Sequence, residues 1–150
     1  MQLTDITRGY FRAYETGDRA FIEDIVAEGF TFTSPFDDAI GRQDYFRRCW
    51  PNNTNHRRFD IEFLAQDGEK VMVVYQANMA TGNPVHPTAQ FRNAECHAFE
   101  QGKLKSVTVF FGDPPGGLTR AQFSKQSGAG CTNLSWPTGV WAIQLKLSGF

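Results

Sequence analysis

The chain has 150 residues, 41% of them hydrophobic and 14% aromatic, with fourteen Phe and a formal net charge of −1. This length suits one domain with a sizeable core, and the composition excludes a disordered chain. The near-neutral charge excludes nucleic acid or anionic lipid as the main partner, and no apolar run approaches the roughly 18 residues of a membrane helix.

In chain order, helical spacing comes first. Thr4 or Asp5 can cap a helix whose Ile6, Tyr10, Ala13 and Tyr14 form one apolar stripe, and Gly17-Asp18 breaks it. Asp18 caps a second predicted helix carrying Phe21, Ile22, Ile25 and Val26, ending near Gly29. Phe30 to Ser34 then alternates as a short strand, with Phe30, Phe32 and Ser34 on one side and Pro35 as its stop. Asp37 and Asp38 read as a loop. A third helix begins near Arg42, with Tyr45, Phe46 and Cys49 inward, and Pro51 ends it.

From there the pattern has period two. Phe59, Ile61 and Phe63 alternate with Asp60, Glu62 and Leu64. Val71 to Met79, Thr88 to Phe99 and Leu104 to Phe111 follow, joined by turns at Gly68, around Gly82-Asn83-Pro84 and at Gln101-Gly102. Helices first and long strands after, with short connections, predict an α+β domain over residues 1–112 with antiparallel pairing. Residues 113–150 are rich in Gly and Pro and read as a partly irregular tail, with a possible extra strand at 140–147. Cys49, Cys96 and Cys131 follow no disulfide or metal spacing, and His56, His86 and His97 form no close pair, so no metal site is expected. No glycine-rich phosphate loop or dinucleotide fingerprint appears, so no cofactor is expected. The first residues lack the basic and apolar segments of a secretory signal, which makes the cytoplasm the expected compartment.

Three local patterns resemble the nuclear-transport-factor-2-like (NTF2-like) superfamily, in particular its SnoaL-like polyketide cyclase and steroid-isomerase-like branch. They are Tyr10 to Asp18; Phe30 to Pro35 with Asp37-Asp38, Gly41 and Tyr45-Phe46; and Asn93-Ala94-Glu95 with Gly102-Lys103-Leu104 and Val109 to Gly112. The resemblance implies a cone-shaped, cystatin-like fold in which N-terminal helices cover the hollow of a strongly curved sheet. It also implies homodimers packed through that sheet. The fold hosts isomerases, cyclases, dehydratases and non-enzymes.

By motif, the branch's oxyanion donors fall on Tyr10 and Glu95, and its proton-moving carboxylate falls on Ser34 before Pro35. That is a departure, because a serine hydroxyl is a poor base without a partner. Asp38 (or, less directly, Asp37) and His97 are the candidates to replace it. A core phenol, a satisfied carboxylate, a helix-capping aspartate and a core histidine are the plain structural readings of the same residues. Glu95 shares a strand face with Phe91, Asn93, His97 and Phe99, and burial among aromatic rings favours the neutral, donating form of a carboxyl. Phe32, Ser34, Trp50, His56, Tyr75, Phe91 and Asn93 are the expected pocket lining. The expected function is cofactor-independent proton transfer on a small apolar or aromatic oxygenated molecule. The alternatives are a non-catalytic ligand-binding domain or a structural dimerisation module.

Overall fold

The computed structural model describes residues 1–80, 84 and 87–112, with His56 and Arg57 described in their backbone alone. The predicted tail at 113–150 with its strand, Cys131 and the His56 side chain lie outside the described residues. Helix α1 (Leu3–Thr16) buries Ile6, Tyr10, Phe11, Ala13 and Tyr14 along one stripe. It starts at Leu3, before the predicted caps, with Asp5 in its first turn, where a negative charge suits the helix dipole. Gly17, at φ 72°, closes the helix by returning its N–H to Ala13 O, a left-handed conformation that glycine adopts without steric cost. Asp18 caps α2 (Arg19–Ile25) by accepting the Phe21 N–H at 3.1 Å.

Helix α2 ends four residues before Gly29, because Val26 already pairs with Leu104 as the first residue of β1 (Val26–Ser34). Pro35 and Phe36 turn the chain into β2 (Asp37–Gly41), so the predicted Asp37-Asp38 loop is a strand of an antiparallel hairpin. Helix α3 (Arg42–Arg48) leads into a 3₁₀ turn (Trp50–Thr54) that accommodates Pro51 in its first turn. Strands β3 (His56–Asp67), β4 (Lys70–Ala80), β5 (Thr88–Glu100) and β6 (Lys103–Phe111) complete one six-stranded sheet of order β2-β1-β6-β5-β4-β3. All neighbours run antiparallel except β1 and β6, which are parallel. This α+β architecture agrees with the predicted class, with that one parallel pair as the difference.

Directly opposed residues of an antiparallel pair share a face. Val73, Glu95 and Val109 are mutually opposed and buried, which defines the inner face covered by α1 and α3. The simple alternation predicted for β3 fails at one place. A bulge between Ile61 and Phe63 places Phe63 opposite Val74 and Leu64 opposite Val73. Leu64 therefore packs against the core, and Phe63 stands 56% exposed on the outer face. That outer face carries two apolar rows across four strands: Phe63, Val74, Ala94 and Phe110, and Ala65, Met72, Cys96 and Thr108.

Candidate active site

The inner face of β5 brings together most of the residues singled out above. Asn93, Glu95 and His97 alternate there with outward side chains, and all three are buried. The Tyr75 hydroxyl, one strand over on β4, donates to Glu95 Oε1 at 2.6 Å. His97 Nε2 lies 2.8 Å from Glu95 Oε2, so both carboxylate oxygens are engaged. Glu95 Oε1 thus accepts from Tyr75, and Oε2 faces the His97 ring. Burying a carboxylate is costly unless its oxygens are hydrogen-bonded, and these two partners meet that demand. The second ring nitrogen, His97 Nδ1, is buried without a hydrogen-bond partner among the described residues. The imidazole is clamped between helix and sheet: the Tyr10 ring meets it edge-on at 4.9 Å and the Phe11 ring stacks on it at 5.8 Å.

Above this pair lies a chain of phenols. The Tyr45 hydroxyl on α3 is 2.9 Å from that of Tyr10 and 2.6 Å from that of Tyr14. Burial, first of all, pushes the ionisation of Tyr10, Tyr14, Tyr45 and Tyr75 well above the ordinary phenol range; the charge of Glu95 adds to this for Tyr10, Tyr45 and Tyr75. All four stay neutral at physiological pH and act as hydrogen-bond groups. The spacing of Tyr14 and Tyr45 predicts inward-facing aromatics and no more. The signal that could have found their role is that a buried phenol requires a polar partner.

The loop acids exchange places relative to expectation. Asp38 is exposed on β2 and does not join the group. Asp37 is the buried acid, its side chain 1% exposed and paired with Arg48 at 2.5 Å. One residue of strand alternation separates the two outcomes. Ser34 Oγ accepts the Phe36 N–H at 3.1 Å and donates to Asp37 Oδ2 at 3.3 Å, so Ser34 holds the hairpin and the Asp37 carboxylate in place. Of the expected lining, Phe32 packs on Tyr45, Trp50 on Tyr14 and Phe91 beside Phe111. A surface groove of about 700 Å³, lined by Arg19, Glu23, Arg42, Asp44, Phe46 and Arg47 among others, lies outside on α2 and α3 and includes none of the residues expected to line a pocket. Among the described residues no group of three or more His, Cys, Asp or Glu is disposed to hold a metal ion. No helix among them is long and apolar enough to cross a membrane.

A SnoaL-like domain model matches residues 7–107, which is more than half of the chain. The chain belongs to the SnoaL-like domain family. Solved structures similar to this SnoaL-like domain include IdmH, a candidate polyketide cyclase from Streptomyces antibioticus, at 13% identity and TM-score 0.62, covering 73% of this chain and 91% of that one. A candidate SnoaL-like polyketide cyclase from Jannaschia sp. CCS1 is 15% identical with TM-score 0.60, over 71% and 82% of the two chains. A protein of cystatin-like fold from Xanthomonas campestris is 17% identical with TM-score 0.60, over 75% and 92%. At these identities the likeness establishes the NTF2-like, cystatin-like fold of the SnoaL-like domain and nothing finer. Curated proteins offer no match.

Proposed function

We propose that this SnoaL-like domain is a cofactor-independent enzyme that moves a proton within a small, mostly apolar oxygenated molecule, with His97 as the base. The observation that carries this reading is the unpartnered, buried Nδ1 of an imidazole whose Nε2 is held by a carboxylate. A histidine so oriented takes a proton at its free nitrogen, and the imidazolium that forms is stabilised by Glu95. The substrate C–H electron pair then flows toward a neighbouring oxygen. Three phenolic protons serve two internal links, so a chain running Tyr14 to Tyr45 to Tyr10 leaves the Tyr10 proton for that oxygen. Return of the proton from Nδ1 to another carbon completes an isomerisation; in a ring closure the enolate carbon instead bonds to a second carbonyl carbon of the substrate, and the proton goes from Nδ1 to the alkoxide oxygen that this leaves. The candidate polyketide cyclases among the structural neighbours suit such a substrate class.

The test is deuterium exchange α to the carbonyl across a panel of cyclic and aryl ketones, followed by NMR. Glu95→Gln is expected to lower exchange by about 10²–10⁴-fold, since a glutamine amide presents a donor to Nε2 and turns the imidazole to the wrong tautomer. Equal exchange in the native protein and this variant would sink the proposal. One observation favours a second reading: Tyr10, Tyr75 and Glu95 all meet protein partners, as they would in a non-catalytic binding or dimerisation module. That reading expects no exchange in the native protein with any ketone.

The proposed assembly is a homodimer through the outer sheet face. Phe63, Met72 and Phe110 are exposed there by 56%, 38% and 55%, and the Arg92–Glu62 ion pair lies beside the apolar rows as a polar rim would. Light scattering is expected to give twice the 16.9 kDa chain mass, and the double change Met72→Glu and Phe110→Glu to give the single mass. A native monomer at the same concentration refutes this face as the contact.

A further inference from the structure

The hydrogen bonds leading to His97 have a direction, and one backbone atom decides it. The Gly112 N–H can only donate, and it lies 3.2 Å from Asn93 Oδ1. This turns the Asn93 amide so that Nδ2 faces the Tyr75 hydroxyl, at 3.4 Å the longest link. An amide NH₂ also only donates, so the Tyr75 oxygen accepts and its own proton passes on to Glu95 Oε1. Glu95 Oε2 lies 2.8 Å from His97 Nε2, and an oxygen of a carboxylate can only accept. We infer that this one-way chain from Gly112 through Asn93, Tyr75 and Glu95 holds His97 as its Nε2–H tautomer, with Asn93 as a positioning residue.

The starting point is itself built into the sheet end. The same Gly112 N–H also bonds Arg92 O at 3.0 Å, and a Cβ at Gly112 would sit 2.0 Å from that oxygen, so only glycine seats the chain this closely. The groups facing the imidazole from other elements agree with the assignment. Helix α1 presents Phe11 and Tyr10, whose hydroxyl oxygen lies 2.9 Å from that of Tyr45. Strand β4 presents Val71 directly opposite and Tyr75 through Glu95, and β6 presents Val107. The use of this tautomer in catalysis rests on the proposed function; its existence does not.

The experiment is ¹⁵N NMR of histidine-labelled full-length protein in a buffer alkaline enough for ordinary imidazole to be neutral, with His97 assigned through His97→Gln. The native protein is expected to show a proton on Nε2 and none on Nδ1. In Tyr75→Phe the carboxylate loses the donor that holds it in place against His97. In Asn93→Asp a second acceptor competes for the Tyr75 proton. Both are expected to raise the Nδ1-protonated population about tenfold, the scale of losing one hydrogen bond to a charged group. A native Nδ1–H form, or native spectra in both folded variants, overturns the inference. The expected tautomer without ketone exchange leaves it standing and defeats only the proposed function.

Discussion

Raising the pH past about 10 is expected to unfold the protein in a steep transition that coincides with the appearance of tyrosinate absorbance. The chain has four tyrosines, and all four are the buried phenols of this site. Burial raises each one's ionisation in the folded state above its unfolded value near 10. Below that unfolded value both states hold all four protons and stability does not depend on them. Above it the unfolded chain releases four protons that the folded chain keeps, so the free energy of unfolding falls as pH rises. Each phenol contributes about 1.4 kcal/mol per pH unit, or roughly 5 kcal/mol per unit for the four together. A domain of ordinary stability, roughly 5–15 kcal/mol, loses its fold within about one to three units of that onset. Circular dichroism and tyrosinate absorbance, recorded on the same samples, check this. Tyrosinate forming in a chain of unchanged dichroism would show the phenols to be open to solvent and the site to be wrongly described.

The second large effect concerns Glu95. Glu95→Leu removes the acceptor of both the Tyr75 hydroxyl and the His97 Nε2 proton and leaves the two donors buried. A loss of about 3–5 kcal/mol in urea unfolding is expected, because orphaned buried polar groups bear their full desolvation cost. The double variant Glu95→Leu with His97→Leu is expected to be less destabilised than the single one, since one orphan is removed and a leucine fits among the rings of Tyr10 and Phe11. Additive losses would mean that the two side chains do not interact. A loss under about 1 kcal/mol for the single variant would mean that water reaches the carboxylate's partners.

Much of this arrangement was legible because β5 alternates without interruption. Phe91, Asn93, Glu95, His97 and Phe99 were predicted to share a face, and all five are buried on one side of the sheet. The α1 stripe was equally readable from its spacing. The parallel pairing of β1 with β6 was not, since it joins segments about seventy residues apart and leaves no local pattern. Asp37-Asp38 carries the composition of a turn, yet the hairpin pairing of Ser34 with Asp37 makes it a strand and sends adjacent acids to opposite environments. The phenol chain escaped notice because its hydroxyls come from α1 and α3, which meet only in the folded protein.

The slip of one residue in β3 divides that strand's apolar surplus between two destinations. Were the pleat regular, with Glu62 paired opposite Val74, Phe63 would turn inward opposite Val73 and Leu64 would turn outward opposite Met72. The outer rows would then hold a carboxylate in place of the aromatic anchor, with the leucine in the place of Ala65. The irregularity therefore ties how the interior is filled to what the molecule offers a second copy of itself, and neither can be altered at this point without the other.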